Sequence, residues 1–175
     1  LILAVPREGG HVVVDITMAQ FSYGQMENKA MRSELLPVPG GYDEHGELSC
    51  DPKEISKTWR VLPIGYWKGS ALAIVMDLVA SVLAGGRSTY AIGKLGSDEY
   101  SLSQMYIAID AKRIAGEDYL AAAINEVLDN LHDSVPVDPA QPVRYPGENS
   151  LAIRNANLAN GIPVDDKVWE KIKSF

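Results

Sequence analysis

Apolar positions along this chain follow two rhythms, one suited to strands and one to helices. His11 to Met18 carries three consecutive valines behind Gly9-Gly10, which predicts a turn and then a strand. Leu1 to Val5, ending at Pro6, reads as another strand. Asp15 interrupts the valine run, and a carboxylate is costly to bury unpaired, so it belongs at the strand's exposed end or beside a polar partner. From Tyr23 to Glu34 the spacing becomes helical, and Pro37, Pro39, Gly40 and Gly41 stop it. Residues 36–66 are rich in turn signals, including Asp51-Pro52, and read as a long loop. Ala71 to Leu83 is apolar nearly all round and predicts a buried helix, with Ser70 as its N-cap and Gly85-Gly86 as its stop. Met105 to Ile109 predicts a strand, and Leu120, Ala123, Ile124, Val127, Leu128 and Leu131 mark a helix over Glu117 to Leu131. The prolines at 136, 139 and 142 make residues 135–142 a stiff connector. A short strand into Pro146-Gly147, a helix to about Asn160 and a last helix from Asp165 to Lys173 follow. Strands alternating with helices predict an α/β fold.

Composition narrows the function more than the fold. A formal net charge of -7, with 16 Lys and Arg scattered along the chain, argues against a nucleic-acid groove and for small-molecule or protein partners. Cys50 is the only cysteine, so no intrachain disulfide forms, and a reducing, cytoplasmic setting is expected for what reads as an incidental loop thiol. The longest apolar run is broken at Asp77, short of the roughly 18 residues of a membrane span. No charged region precedes an apolar stretch as in a signal peptide. The chain opens directly on a strand without an initiator Met, which suggests a truncated or processed polypeptide.

Familiar chemical motifs are missing. There is no G-x-G-x-x-G, and Ile92-Gly93-Lys94-Leu95 lacks the other elements of a P-loop. His11, His45 and His132 fall in no metal-binding frame, so no metal is expected, and no G-x-S-x-G elbow marks a hydrolase. Two clusters remain. Tyr66-Trp67-Lys68-Gly69-Ser70 places a lysine and an aromatic ring at a helix entrance, where backbone N–H groups favour an anion; a capping turn with a solvated lysine is the plainer reading. Gly147 would permit close backbone approach and Glu148 would accept ribose hydroxyls, although Glu148 suits a helix's first turn equally well.

The ordered segments VDITMAQFSYG, GGYDEHGELSCDP, LPIGYWKGSALAIVMDLVASVLAGG, SQMYIAID, VRYPGE and NGIPVDDKVWEKI together resemble the malate/L-lactate dehydrogenase family over essentially all 175 residues. That resemblance implies a non-Rossmann NAD(P)-binding fold like that of the sulfolactate and malate dehydrogenases: a mixed, largely antiparallel sheet flanked by helices. It implies a cofactor-binding portion over residues 1–134 and a helical segment over 135–175 that packs back on a domain upstream of this chain. It further implies a homodimer, a 2-oxo acid substrate, and a cofactor held by His11, Val12, Val13, Val14, Asp15, Ile16 and Thr17, then Trp67 and Lys68, then Gly147, Glu148 and Asn149. Relatives carry G-H-E where this chain has G-E-N at the last three positions. Asp15 would orient the catalytic histidine, which the family places in an S-H-G motif upstream, so this length of chain alone is expected to be inactive.

The reaction implied is hydride transfer from reduced nicotinamide to the 2-oxo carbon of a sugar-derived 2,3-dioxo acid. Malate, lactate, ureidoglycolate, sulfolactate or a cyclic imino acid are alternative substrates, and a non-catalytic binding or assembly subunit is the alternative role. NADH is expected over NADPH because no arginine falls within the three segments, with Arg144 close to the third.

Overall fold

The computed structural model describes residues 1–96 and 100–175. In chain order the elements are β1 (Ile2–Val5), β2 (Val12–Asp15), α1 (Tyr23–Arg32), β3 (Gly41–Tyr42), β4 (Leu48–Ser49), α2 (Pro52–Thr58), β5 (Arg60–Val61), α3 (Trp67–Ala84), α4 (Thr89–Gly93), α5 (Ala111–Ala115), α6 (Glu117–His132), α7 (Glu148–Asn160) and α8 (Asp166–Lys173). They divide into two compact units, residues 16–108 with Leu1, and residues 2–15 with 109–175. This division is drawn on packing and is distinct from the functional division expected at residue 134.

In the first unit the sheet runs β4-β3-β5, with both ladders antiparallel. Its core is Met26, Leu36 and Ile55, with Phe21, Cys50 and Val61 packed against it. Much of that core comes from the stretch that reads as loop, and the reason is local chemistry. Asp51 is not merely a turn residue: its side chain accepts from the Lys53 N–H as the N-cap of α2, and Pro52 follows where its missing N–H costs nothing. Trp59, left-handed at φ 52°, ends that short helix, and its ring meets Tyr23 at 4.5 Å. Cys50, on the loop between β4 and α2 as expected, is half-buried against the core.

α3 covers the expected residues and stops at Gly85, which is left-handed and donates to the Ser81 and Val82 carbonyls. Two expectations for it are corrected. The helix begins at Trp67 rather than Ala71, with Tyr66 in place of Ser70 at the N-cap. It is also largely exposed: only Gly69 is buried, while Val82 is 72% exposed. Periodicity shows that a helix is apolar, not which surface covers it. At 18 residues and a mean hydropathy of 1.5, α3 is also long and apolar enough to cross a membrane by length and composition, so Asp77 does not break the run as expected. Asp77 instead ties α3 to the start of α4, accepting from the Thr89 N–H at 2.8 Å and its hydroxyl at 2.7 Å.

The second unit pairs β1 with β2 antiparallel, Ile2 opposite Asp15 and Val5 opposite Val12. Its buried residues include Leu128 of α6 and Tyr145. The helices over Glu117–His132, Glu148–Asn160 and Asp166–Lys173 lie close to their expected bounds, and residues 135–142 carry neither helix nor strand. No strand forms at 105–109 or directly ahead of Pro146, because an extended apolar run becomes a strand only when a neighbour completes its ladder.

Ile55 is fully buried, so Ile55→Ala should cost about 2–5 kcal/mol, read as a lower urea midpoint with an unchanged slope. The hydroxyl of Thr89, then its N–H, favour ionised Asp77 and hold its carboxyl below the ordinary value. With the folded value below the unfolded one, this stabilisation is present above about pH 3.9 and is lost as pH falls through the folded value. The Thr89 amide resonance should accordingly titrate with a midpoint below about 3.9, and Asp77→Asn should abolish that titration.

Candidate functional site

The segment His11 to Thr17 runs across the boundary between the two units, with His11–Asp15 in one and Ile16–Thr17 in the other. Each part leads to another of the predicted segments within its own unit.

In the second unit, the Val13 N–H donates to the Pro146 carbonyl at 2.9 Å. Gly147 then turns the chain at φ 90° as the N-cap of α7. A Cβ on Gly147 would lie 3.1 Å from the Val13 nitrogen and 3.3 Å from the His11 carbonyl, so glycine is required both by the turn and by the closeness of β2. His11–Asp15 and Gly147–Asn149 are thereby brought together from opposite ends of the sequence. Asp15 stands exposed at the end of β2.

Glu148 is the first residue of α7, one of the two roles expected for it. Its carboxylate reaches back to accept from the Tyr145 N–H at 3.0 Å, a reciprocal of the Glu148 N–H to Tyr145 carbonyl bond at 3.2 Å. Its other oxygen meets His132 Nε2 at 2.9 Å, across from the last residue of α6. Each carboxylate oxygen can accept more than one hydrogen bond, so Glu148 is fixed in place without being exhausted as an acceptor.

Sequence reasoning misses the residues around this turn. Tyr145 is buried, its hydroxyl accepts from Arg7 Nη1 at 3.3 Å, and the Arg7 guanidinium lies 5.7 Å from its ring centre. His132 stands 5.9 Å from the same ring. The one available hint is the bulky aromatic directly before Pro146-Gly147. His11 Nδ1 accepts from the Arg7 N–H at 3.2 Å and so closes the β1–β2 turn. Beside that turn lies a cleft of about 530 Å³, lined by His11, by Arg7 and by the apolar face of α6 at Leu120 and Ile124.

In the first unit, the Ile64 N–H donates to the Met18 carbonyl at 3.0 Å and the Gln20 N–H to the Leu62 carbonyl at 2.8 Å. These bonds lay the chain after Thr17 along the approach to Trp67 and Lys68. A Cβ on Gly69 would meet the Ile64 carbonyl at 2.1 Å, so this glycine lets the approach fold over the first turn of α3. Tyr66, at φ 56° and ψ -128°, holds a backbone conformation that costs a non-glycine residue about 1–3 kcal/mol. It caps α3 with no side-chain hydrogen bond, and presents Trp67, 73% exposed, and Lys68 at the helix's positive end. A flat ring, a cation and helix N–H groups together form a donor set suited to an aromatic anion.

Comparison with known proteins places these segments in a family. Residues 1–173 match the model of the malate/L-lactate dehydrogenase family. The chain is 40% identical over its whole length to a 2,3-diketo-L-gulonate reductase of Mannheimia succiniciproducens, and 38% identical to one of Escherichia coli, covering 52% of each. It thus spans about half the length of these curated relatives. Among solved structures, a Δ1-piperideine-2-carboxylate reductase of Pseudomonas syringae matches at 26% identity with a TM-score of 0.74, covering 98% of this chain and 51% of that one. A malate dehydrogenase of Entamoeba histolytica, 15% identical, has the same fold, with a TM-score of 0.87 over 99% of this chain and 52% of its own. The fold is that of the malate and sulfolactate dehydrogenases, here with small antiparallel sheets among helices.

Gly147→Ala should lower stability by about 1–3 kcal/mol, because alanine at φ 90° is strained and its methyl presses on β2. Hydrogen exchange should show lost protection first at the Val13 amide.

Proposed function

This chain belongs to the malate/L-lactate dehydrogenase family, and from that premise we propose that it is the cofactor-binding part of an NAD(P)H-dependent reductase of 2-oxo acids, acting on 2,3-diketo-L-gulonate. The observation that carries the reading is the Val13 to Pro146 bond, which joins two separately predicted cofactor segments without a glycine-rich phosphate turn. In this reading residues 1–134 supply most of the cofactor contacts, and residues 135–175 add the Gly147 turn and pack on an upstream domain.

Each unit carries groups that fit part of a dinucleotide. In the first, exposed Trp67 offers a stacking face, and Lys68 with the first N–H groups of α3 suits a pyrophosphate; in the second, Glu148, held by His132 and Tyr145, can accept from a ribose. When bound, the reduced nicotinamide supplies hydride to the 2-oxo carbon. Asp15, at the open end of β2, is a positioning residue that fixes the ring of the proton-donating histidine, leaving its acidic N–H toward the developing alkoxide. The proposal includes a cytoplasmic homodimer, and the exposed apolar face of α3, with Ile74 60% and Leu78 55% exposed, is the surface a second copy would cover.

Titration with NADH, followed by energy transfer from tryptophan, should show saturable binding. Lys68→Ala should weaken it roughly tenfold, the loss of one charge-assisted contact, without changing thermal stability because Lys68 is exposed. Reduction of 2,3-diketo-L-gulonate should require the upstream half in the same assay. Turnover by this length alone would assign the proton donor to a residue within it and overturn that part of the proposal.

A further inference from the structure

Two stretches with the chemistry of strands are left incomplete in this chain. The first is the outer edge of β1. Leu1 and Ile16 exchange backbone hydrogen bonds at 2.9 and 3.0 Å, so by antiparallel alternation Leu3 and Val5 also face β2, while Ile2 and Ala4 turn their N–H and C=O groups away from it. Val13, opposite Ala4, follows the same alternation, since its N–H points away from β1 to Pro146. β1 pairs with β2 alone, and among the described residues no group meets the outward backbone of Ile2 and Ala4.

The second is the run from Met105 to Ile109. It has the residue types of a strand and forms neither helix nor strand, and the backbone groups of residues 105–108 make no hydrogen bond among the described residues. Tyr106 is 85% exposed and Ile107 73%. A ladder would pair this backbone and cover these side chains in one step.

The two stretches match. β1 offers N–H and C=O groups on alternate residues, the spacing at which any extended strand offers its own. Neither Ile2–Val5 nor Met105–Ile109 contains a charged residue, so their approach opposes no like charges in a chain whose net charge is -7. β1 also lacks the devices that blunt an exposed edge, having no lysine, internal proline or bulge. A single chain leaves both stretches unpaired, which assigns the match to another copy. Each copy carries one free edge and one free run, so two copies exchanging them about a two-fold axis satisfy both with nothing left over.

We infer that two copies of this chain associate by strand exchange, residues 105–109 of each adding to the outer edge of β1 of the other. The inference rests on the homodimer of the proposed function and gives it a contact separate from α3. It also turns the β1–β2 hairpin, marginal as a two-stranded sheet, into three strands, and so steadies the strand that carries Val12–Asp15.

The test is sedimentation of the full chain beside Ala4→Pro, Ile107→Pro and Ile107→Lys, each checked for an unchanged far-UV spectrum. Ala4→Pro removes an outward N–H and leaves the β1–β2 ladder intact, and Ile107 is exposed outside any ladder. The unaltered chain should sediment as a dimer with slowed hydrogen exchange at the Ile2 and Ala4 amides, and each variant alone should weaken the dimer by roughly tenfold or more. Mixing Ala4→Pro with Ile107→Pro should recover part of the dimer, because the mixed pair keeps one contact made wholly of unaltered residues. A monomer with these amides unprotected overturns the inference together with the proposed homodimer, and a monomer with them protected does the same by showing that the edge is filled within one chain. A dimer indifferent to Ala4→Pro and to both Ile107 variants, or one lost in each variant and not recovered on mixing, overturns strand exchange alone and leaves α3 as the surface between copies.

Discussion

One backbone hydrogen bond, from the Val13 N–H to the Pro146 carbonyl, sets the arrangement of the candidate segments in the second unit. It brings the valine strand against the turn that starts α7, a close approach that the missing side chain of Gly147 eases. Glu148 then sits at the helix's first position, where His132 and the Tyr145 N–H fix its carboxylate. The same turn buries Tyr145, whose hydroxyl anchors Arg7 and with it the mouth of the hairpin. Packing between segments distant in the sequence thus brings His11–Asp15 and Gly147–Asn149 together without any glycine-rich phosphate motif.

The candidate segments of the first unit follow different physics. Trp67 and Lys68 are displayed by a strained Tyr66 at the end of a helix, with Gly69 admitting the backbone of Ile64. Strain of this kind persists only where surrounding contacts hold it, here the Ile64 to Met18 and Gln20 to Leu62 bonds. Those same bonds bring the chain that follows Thr17 toward the helix entrance. The plainer reading of this entrance, a capping turn with a solvated lysine, is correct about its backbone, and it leaves the ring and the charge available.

The long helices are legible in the sequence because their signals are local. Ser22 and Gly85 cap or stop α1 and α3 by contacts with residues only a few positions away. The mistaken expectations share a different cause. Residues 105–109 have strand chemistry without a ladder partner, and α3 has core chemistry without a cover, so each depends on a surface that local pattern does not specify. The region 36–66 misleads because Asp51-Pro52 serves equally as a turn or as the start of a helix, and only the packing of Ile55 against Met26 and Leu36 distinguishes them. The candidate segments come from the family resemblance, while Tyr145, Arg7 and His132 escape notice because their contacts arise from tertiary packing.

The proposed cofactor reading puts a nicotinamide dinucleotide along β2 beside the Gly147 turn. The most direct measurement is a backbone amide NMR titration of the full chain with NADH. The account predicts that the largest shifts fall at residues 11–17, at Trp67 and Lys68, and at 147–149. Shifts confined to other residues, with Val13 and Glu148 unmoved at saturation, would contradict it.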